Sequence, residues 1–151
     1  MNALIFLDFS KAFDSVHFEI GLKKLEVYFS FSHSAILLIK NYLKSRSLAV
    51  FVNGNWSSLK VVSSGVPQGS ILGPFLCLLF INDLPLSIDV KSHIYSDDVQ
   101  LYRTSDILSI KNSINLLNKD IKKVIKWSIS NGITINSSKS QAISVEKCMY
   151  I

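Results

Sequence analysis

Cysteine is scarce: the 151 residues hold two, Cys77 and Cys148. So far apart, they make neither a metal-site spacing nor a disulfide framework. Cys77 falls in the apolar run Ile71–Ile81 and reads as a small core residue, which suits an intracellular, reducing setting. Long hydrophobic runs are lacking too. The longest, ILGPFLCLLFI, is well short of the roughly 20 residues a bilayer requires, and it contains Gly73 and Pro74. No membrane association is expected. The N-terminus has no basic n-region, and Asp8 interrupts the apolar stretch Ala3–Leu7, which argues against a signal peptide. Repeats, low-complexity stretches and internal linkers are absent. His17, His33 and His93 show no ligand spacing, and no Ser or Cys nucleophile arrangement is evident.

What is present is a globular composition, 48% hydrophobic and 18% charged, long enough for one domain with a core. The formal net charge of +5 suits a polyanionic partner, but many proteins without one share it.

The pattern alternates strands and helices. Ala3–Leu7 reads as a strand buried on both faces. Helices are predicted over Phe18–Phe29 and Ser34–Lys44, the second capped by Ser34, with Ile36, Ile39, Lys40 and Leu43 at helical spacing. Ser47–Val52 and Trp56–Ser63 read as strands joined at Asn53-Gly54, a hairpin signal because both residues tolerate positive φ. A Gly/Pro loop then opens an apolar helix over Ser70–Asn82. Ile88–Tyr95 and Val99–Arg103 flank Ser96-Asp97-Asp98 as strands. A long helix capped at Ser105 or Asp106 runs to Asn131-Gly132, its apolar stripe being Ile110, Ile114, Leu117, Ile121, Val124 and Ile125. Its lysine-rich opposite face is read as solvated. Ile133–Ile135 and Ala142–Val145 are short strands. Mixed strands and helices in this order indicate the α+β class.

The acidic residues carry the chemistry. Asp8 ends an apolar strand, and Asp97-Asp98 stand as a pair at the tip of a hairpin. Carboxylates at the edge of a buried sheet call for a partner, because an unpaired buried charge is costly. A hard divalent cation such as Mg²⁺ is one such partner. Two ions about 3.5–4 Å apart can activate a hydroxyl and stabilise a leaving phosphate oxygen. Taken singly, each aspartate also reads as an ordinary strand-end cap or acidic turn.

Leu7-Asp8-Phe9-Ser10-Lys11-Ala12-Phe13-Asp14, then Gly65-Val66-Pro67-Gln68-Gly69-Ser70-Ile71-Leu72-Gly73-Pro74, then Tyr95-Ser96-Asp97-Asp98 resemble the successive palm motifs of reverse transcriptases. Gly132-Ile133-Thr134-Ile135-Asn136-Ser137-Ser138-Lys139-Ser140 is similar to the family's next, fourth motif, and with Ile81-Asn82-Asp83-Leu84-Pro85 trailing the second motif the resemblance is strongest to enzymes of non-LTR, LINE-like retrotransposons. Four motifs in order over nearly the whole chain are far more specific than any one of them. The resemblance implies a polymerase palm, an antiparallel sheet backed by helices with a ferredoxin-like core. It implies that residues 1–151 are a partial reverse transcriptase domain, with the N-terminal fingers part and the thumb outside it, so that the isolated chain is expected to be inactive.

The implied activity is RNA-directed DNA synthesis, adding deoxynucleoside triphosphates to a DNA primer 3′-hydroxyl on an RNA template. Asp8, Asp97 and Asp98 would be catalytic metal ligands for two Mg²⁺ ions, with Mn²⁺ as a substitute. Phe13 would lie beneath the incoming sugar and reject a 2′-hydroxyl, and Gln68 would touch the nucleotide and the template base pair. Lys139 would lie near the triphosphate, and Tyr95 beside the primer end. The resemblance allows the nucleus as the compartment of an active element and implies nothing narrower than an intracellular setting otherwise. Ser96 departs from the family's usual Ala, and Phe29-Ser30-Phe31 stands where many relatives have glycine. Two other readings share these motifs: a group II intron or retron-type reverse transcriptase, and a truncated, inactive element-derived remnant that at most binds nucleic acid.

Overall fold

The computed structural model describes residues 2–44 and 46–145, so Cys148 lies outside the described residues. In chain order the elements are β1 (Asn2–Ser10), α1 (Ala12–Ser15), α2 (Phe18–Phe29), α3 (His33–Leu43), β2 (Ser47–Leu48), β3 (Phe51–Val52), β4 (Asn55–Trp56), β5 (Lys60–Val61), α4 (Leu72–Ile81), β6 (Lys91–Tyr95), β7 (Asp98–Thr104), α5 (Ile110–Asn131), β8 (Thr134–Ile135) and β9 (Gln141–Val145). The class is α+β. The chain divides into two compact units, Met1–Ala12 with Ile81–Ile151, and Phe13–Phe80. No helix among the described residues is long and apolar enough to cross a membrane.

The first unit is built on a five-stranded sheet. Strands run β6-β7-β1, with β8 and β9 both pairing the far side of β1, and every pairing is antiparallel. Following β9-β1-β7-β6 gives the order of a split β-α-β, ferredoxin-like core. β1 explains the arrangement. Its alternate residues Ala3, Ile5, Leu7 and Phe9 are buried, while Leu4, Phe6 and Asp8 are half-buried. Phe9 meets Trp127 of α5, ring centroids 5.9 Å apart. α5 therefore covers the odd-numbered face of β1, and period-2 alternation turns Asp8 to the other face.

The seam of α5 differs from the predicted stripe. Ser113, Leu117, Asp120, Val124, Trp127, Ser128 and Asn131 are its buried residues, whereas Ile114 and Ile125 are exposed. Leu117 and Val124 of the predicted stripe do lie in the seam, but apolar periodicity missed its polar members, among them a carboxylate at its middle. Asp120 accepts from the backbone N–H groups of Asp89 (2.8 Å) and Val90 (2.6 Å), and Lys123 Nζ stands 2.9 Å from its other oxygen. Burial pushes the Asp120 carboxyl up, but the Lys123 ammonium and the two N–H groups outweigh it and hold the group below the usual range. The predicted cap of α5 also moves. A 3₁₀ turn, Ile107–Ser109, precedes the helix, and Ser109 occupies the cap position with its hydroxyl donating back to the Asp106 carbonyl rather than capping the helix.

The second unit holds α2, α3 and the hairpin strands. α3 begins two residues earlier than Ser34 suggested: Ser32 is the N-cap, its Oγ accepting from the Ala35 N–H at 3.3 Å. α2 ends at Ser30, in the left-handed conformation (φ 51°) that glycine adopts most readily. The predicted hairpin forms at Asn53-Gly54, with φ of 50° and 81°. Its strands are shorter than expected, because two residues, 49 and 50, face three, 57 to 59. This bulge separates the β2–β5 pairing from the β3–β4 pairing and is bridged by Val50 and Ser57.

Candidate active site

β1 and β7 pair over seven residues, and the register ends by setting Asp8 directly opposite Asp98. Directly opposed residues share a sheet face, with Cβ atoms about 4.5–5.5 Å apart. The hairpin between β6 and β7 makes this possible: Tyr95 pairs with Asp98, leaving Ser96-Asp97 as a two-residue loop. Ser96 takes φ 55°, the left-handed conformation that a tight hairpin loop requires at its first position. Asp97 is half-buried and Asp98 exposed.

On its other edge, β1 passes from β9, which pairs Asn2–Phe6, to β8, which pairs Phe9 and Ser10. Asp8 sits in the gap. There the 136–140 turn takes over its backbone: the Asn136 N–H donates to the Asp8 carbonyl at 2.8 Å, and the Asp8 N–H donates to Ser140 Oγ at 3.4 Å. Asn136 Oδ1 folds the turn by accepting from the Ser138 N–H at 3.2 Å. This anchoring brings Lys139 to a cavity of about 280 Å³ that Asp8 and Asp98 also line, with Gln100 beside them. Asp97 is not among the lining residues. A lysine and two facing carboxylates thus border one space in the first unit.

Among the described residues no three His, Cys, Asp or Glu side chains converge as a ready-made metal cluster. The donor set still suits magnesium, which is held by one or two carboxylates and completes its shell with water and phosphate oxygens. Like charges directly opposite each other in a ladder are destabilising when unpartnered, and a cation between them removes that repulsion.

Phe13 and Gln68 belong to the second unit. There the loop 64–68 is stitched to the 13–16 turn. The Gly65 N–H donates to the Val16 carbonyl and the Val66 N–H to the Phe13 carbonyl, both at 2.8 Å. Gln68 Nε2 donates to Asp14 Oδ1 at 2.8 Å, and Arg46 Nη2 to the Gly65 carbonyl at 2.8 Å. Gly65 has φ 84°, and a Cβ there would lie 2.8 Å from the Asp14 backbone, so only glycine allows this approach. The two predicted nucleotide-binding residues of this unit are therefore held close together, Phe13 half-buried and Gln68 exposed. Asn136, Ser140, Asp14 and Arg46 were not singled out from the sequence. Asn136, Ser140 and Asp14 stood inside the quoted motifs, but only their hydrogen bonds reveal what they hold.

The profile of the Reverse transcriptase (RNA-dependent DNA polymerase) family matches residues 2–151. The chain belongs to that family. This reverse transcriptase chain is 32% identical over 142 residues to the RNA-directed DNA polymerase from mobile element jockey of Drosophila melanogaster, covering 89% of the chain and 15% of the relative. It is 35% identical over 146 residues to the probable RNA-directed DNA polymerase from transposon X-element of the same species, covering 92% of the chain and 15% of the relative. It thus spans about 15% of the length of these curated relatives. In fold it resembles apo telomerase from Candida tropicalis truncated from its C-terminal domain, with a TM-score of 0.71 and 16% identity, over 99% of this chain and 32% of that one. The antiparallel sheet and helices of the reverse transcriptase chain match that architecture.

Proposed function

We propose that the chain is the palm of a non-LTR retrotransposon RNA-directed DNA polymerase, joining deoxynucleotides to a primer 3′-hydroxyl on an RNA template. The observation that carries this reading is the facing pair Asp8 and Asp98, with Lys139 bordering the same cavity. Asp8 and Asp98, with Asp97 one residue away, would hold two Mg²⁺ ions. The metal, when bound, supplies activation of the attacking hydroxyl and neutralises charge on the leaving phosphate oxygen. The residues of the chain supply position. The β1–β7 ladder fixes both carboxylates without a flexible loop, so their orientation is set before substrate arrives. Lys139 offers its ammonium to the triphosphate and a proton to the departing pyrophosphate. Phe13 sets the floor beneath the sugar, and Gln68, held by Asp14, meets the base pair.

The test is a chimaera in which residues 1–151 replace the matching segment of a complete non-LTR polymerase. Primer extension on an RNA template with Mg²⁺ is expected. Asp8→Asn and Asp97→Asn should each lower the rate by on the order of 100-fold or more. Phe13→Ala should raise ribonucleotide incorporation relative to deoxynucleotide. A folded chimaera that binds primer–template yet never extends it would overturn the catalytic reading in favour of an inactive remnant.

A further inference from the structure

The second unit exposes a surface that the polymerase reading does not use. On the hairpin, Phe51 is 56% exposed and Trp56 71% exposed, yet the two rings lie only 4.9 Å apart. They form a cross-strand aromatic pair with open outer faces beside the Asn53-Gly54 turn. Exposed aromatics can serve several partners, so the surrounding charge decides among them. From Val27 to Asn82 the sequence has no Asp or Glu, while Lys40, Arg46 and Lys60 fall within it, together with Lys44, which pairs with Glu19. At the base of the hairpin Leu48 pairs with Lys60. Both line a cavity of about 660 Å³, shared with Arg46, Gln68 and one carboxylate, Asp14, which already accepts from Gln68. Lys60 makes no ion pair among the described residues.

We propose that this hairpin is a landing surface for a single-stranded polynucleotide, with one or two bases stacked on the Phe51–Trp56 pair. The phosphates run past Lys60 towards the cavity that holds Gln68. Aromatic faces accept every base, and the missing carboxylates remove repulsion of the backbone. The inference rests on the reading of the chain as a polynucleotide-handling protein, but its test measures binding rather than synthesis.

The 151-residue chain is titrated with a fluorescein-labelled 12-nucleotide single strand, RNA and DNA in separate arms, and followed by anisotropy at several salt concentrations. Trp56→Ala should weaken binding by about 5- to 150-fold while leaving the salt dependence unchanged. Trp56→Phe should bind within about threefold of the parent, because a ring is retained. Lys60→Ala should make the slope of log K against log salt shallower by about 0.7. Circular dichroism confirms that each variant folds, as expected for exposed positions. No binding by the parent chain, or equal binding by Trp56→Ala, overturns the proposal. So does a concentration-dependent dimer that Trp56→Ala abolishes without changing oligonucleotide affinity, since the patch would then join two copies of the chain. Loss of extension in the chimaera with oligonucleotide binding intact would sink the catalytic reading and leave this one standing.

Discussion

The β1–β7 ladder and the Ser47–Val61 hairpin use the same vocabulary of β-branched and aromatic residues to different ends. The ladder pairs seven residues, and Val99 and Leu101 within it are fully buried. The hairpin pairs two residues at a time, and all eight strand residues are exposed. Strand formation therefore needs only local preference and a good turn, whereas holding a core needs a helix laid on one face. The ladder has α5 for that purpose, and its register fixes the aspartates as a consequence. The hairpin offers its side chains to solvent, which is where a binding surface has to be.

That contrast can be broken by mutation. Leu101→Ala should cost about 2–5 kcal/mol, the range for emptying a buried leucine site. Trp56→Ser, which removes a larger side chain, should cost no more than about 1 kcal/mol, chiefly the lost ring pair. Urea midpoints measure both, and comparable losses would show that the hairpin carries core stability after all.

The buried carboxylate in the seam of α5 sharpens the same point. Asp120→Ala should cost about 3 kcal/mol, because two backbone N–H groups and Lys123 lose a charged acceptor. The folded-state pKa of Asp120 lies below its ordinary 3.8. Its contribution is therefore complete above that value and lost as pH falls through the lowered folded pKa. Lys123 is shifted the other way, above 10.5, first by Asp89 and then by Asp120, so its contribution holds below that pH and is lost on further alkalinisation. Acid titration of Asp120→Asn should show a flatter loss of stability than the parent, and an unchanged acid limb would refute this assignment.

In the second unit, Ser30→Gly should stabilise the chain by about 1 kcal/mol, since serine at φ 51° bears a left-handed penalty that glycine avoids. A drop in melting temperature would mean that the Ser30 side chain makes a contact worth more than the strain. The smallest effect on stability is expected at the candidate site. Asp98→Asn should raise metal-free stability by about 0.2–1 kcal/mol through relief of repulsion with Asp8, even as it abolishes extension in the chimaera. A variant that loses both stability and activity would assign Asp98 a structural role instead.

Much of the architecture was legible in the chain. The strand at Ala3–Leu7, the Asn53-Gly54 turn, the helix at Phe18–Phe29 and the apolar helix predicted over Ser70–Asn82 follow from period, length and turn chemistry, all local properties, although the last spans only Leu72–Ile81 and the strand buries one face rather than both. The helix caps were less legible: Ser34 and Ser32 are both competent N-caps, and only the path of the chain selects Ser32. The face of α5 was read only in part, at Leu117 and Val124, because a buried aspartate is recognisable only through the backbone donors that meet it, and Asp89 and Val90 lie some 30 positions away.

The sequence by itself determined that a carboxylate would follow the apolar run of β1 and that a pair would stand at the β6–β7 turn; the strand itself continues past Asp8 to Ser10, because β8 pairs Phe9 and Ser10. The sequence also determined the family, because four motifs in order survive in the residues themselves. Only the tertiary structure decided that Asp98 faces Asp8 across the ladder, that Lys139 is drawn to the same cavity by Asn136 and Ser140, and that the hairpin's aromatics stay in solvent. Register, anchoring and exposure depend on contacts between residues far apart in the chain, and local preference carries no information about them.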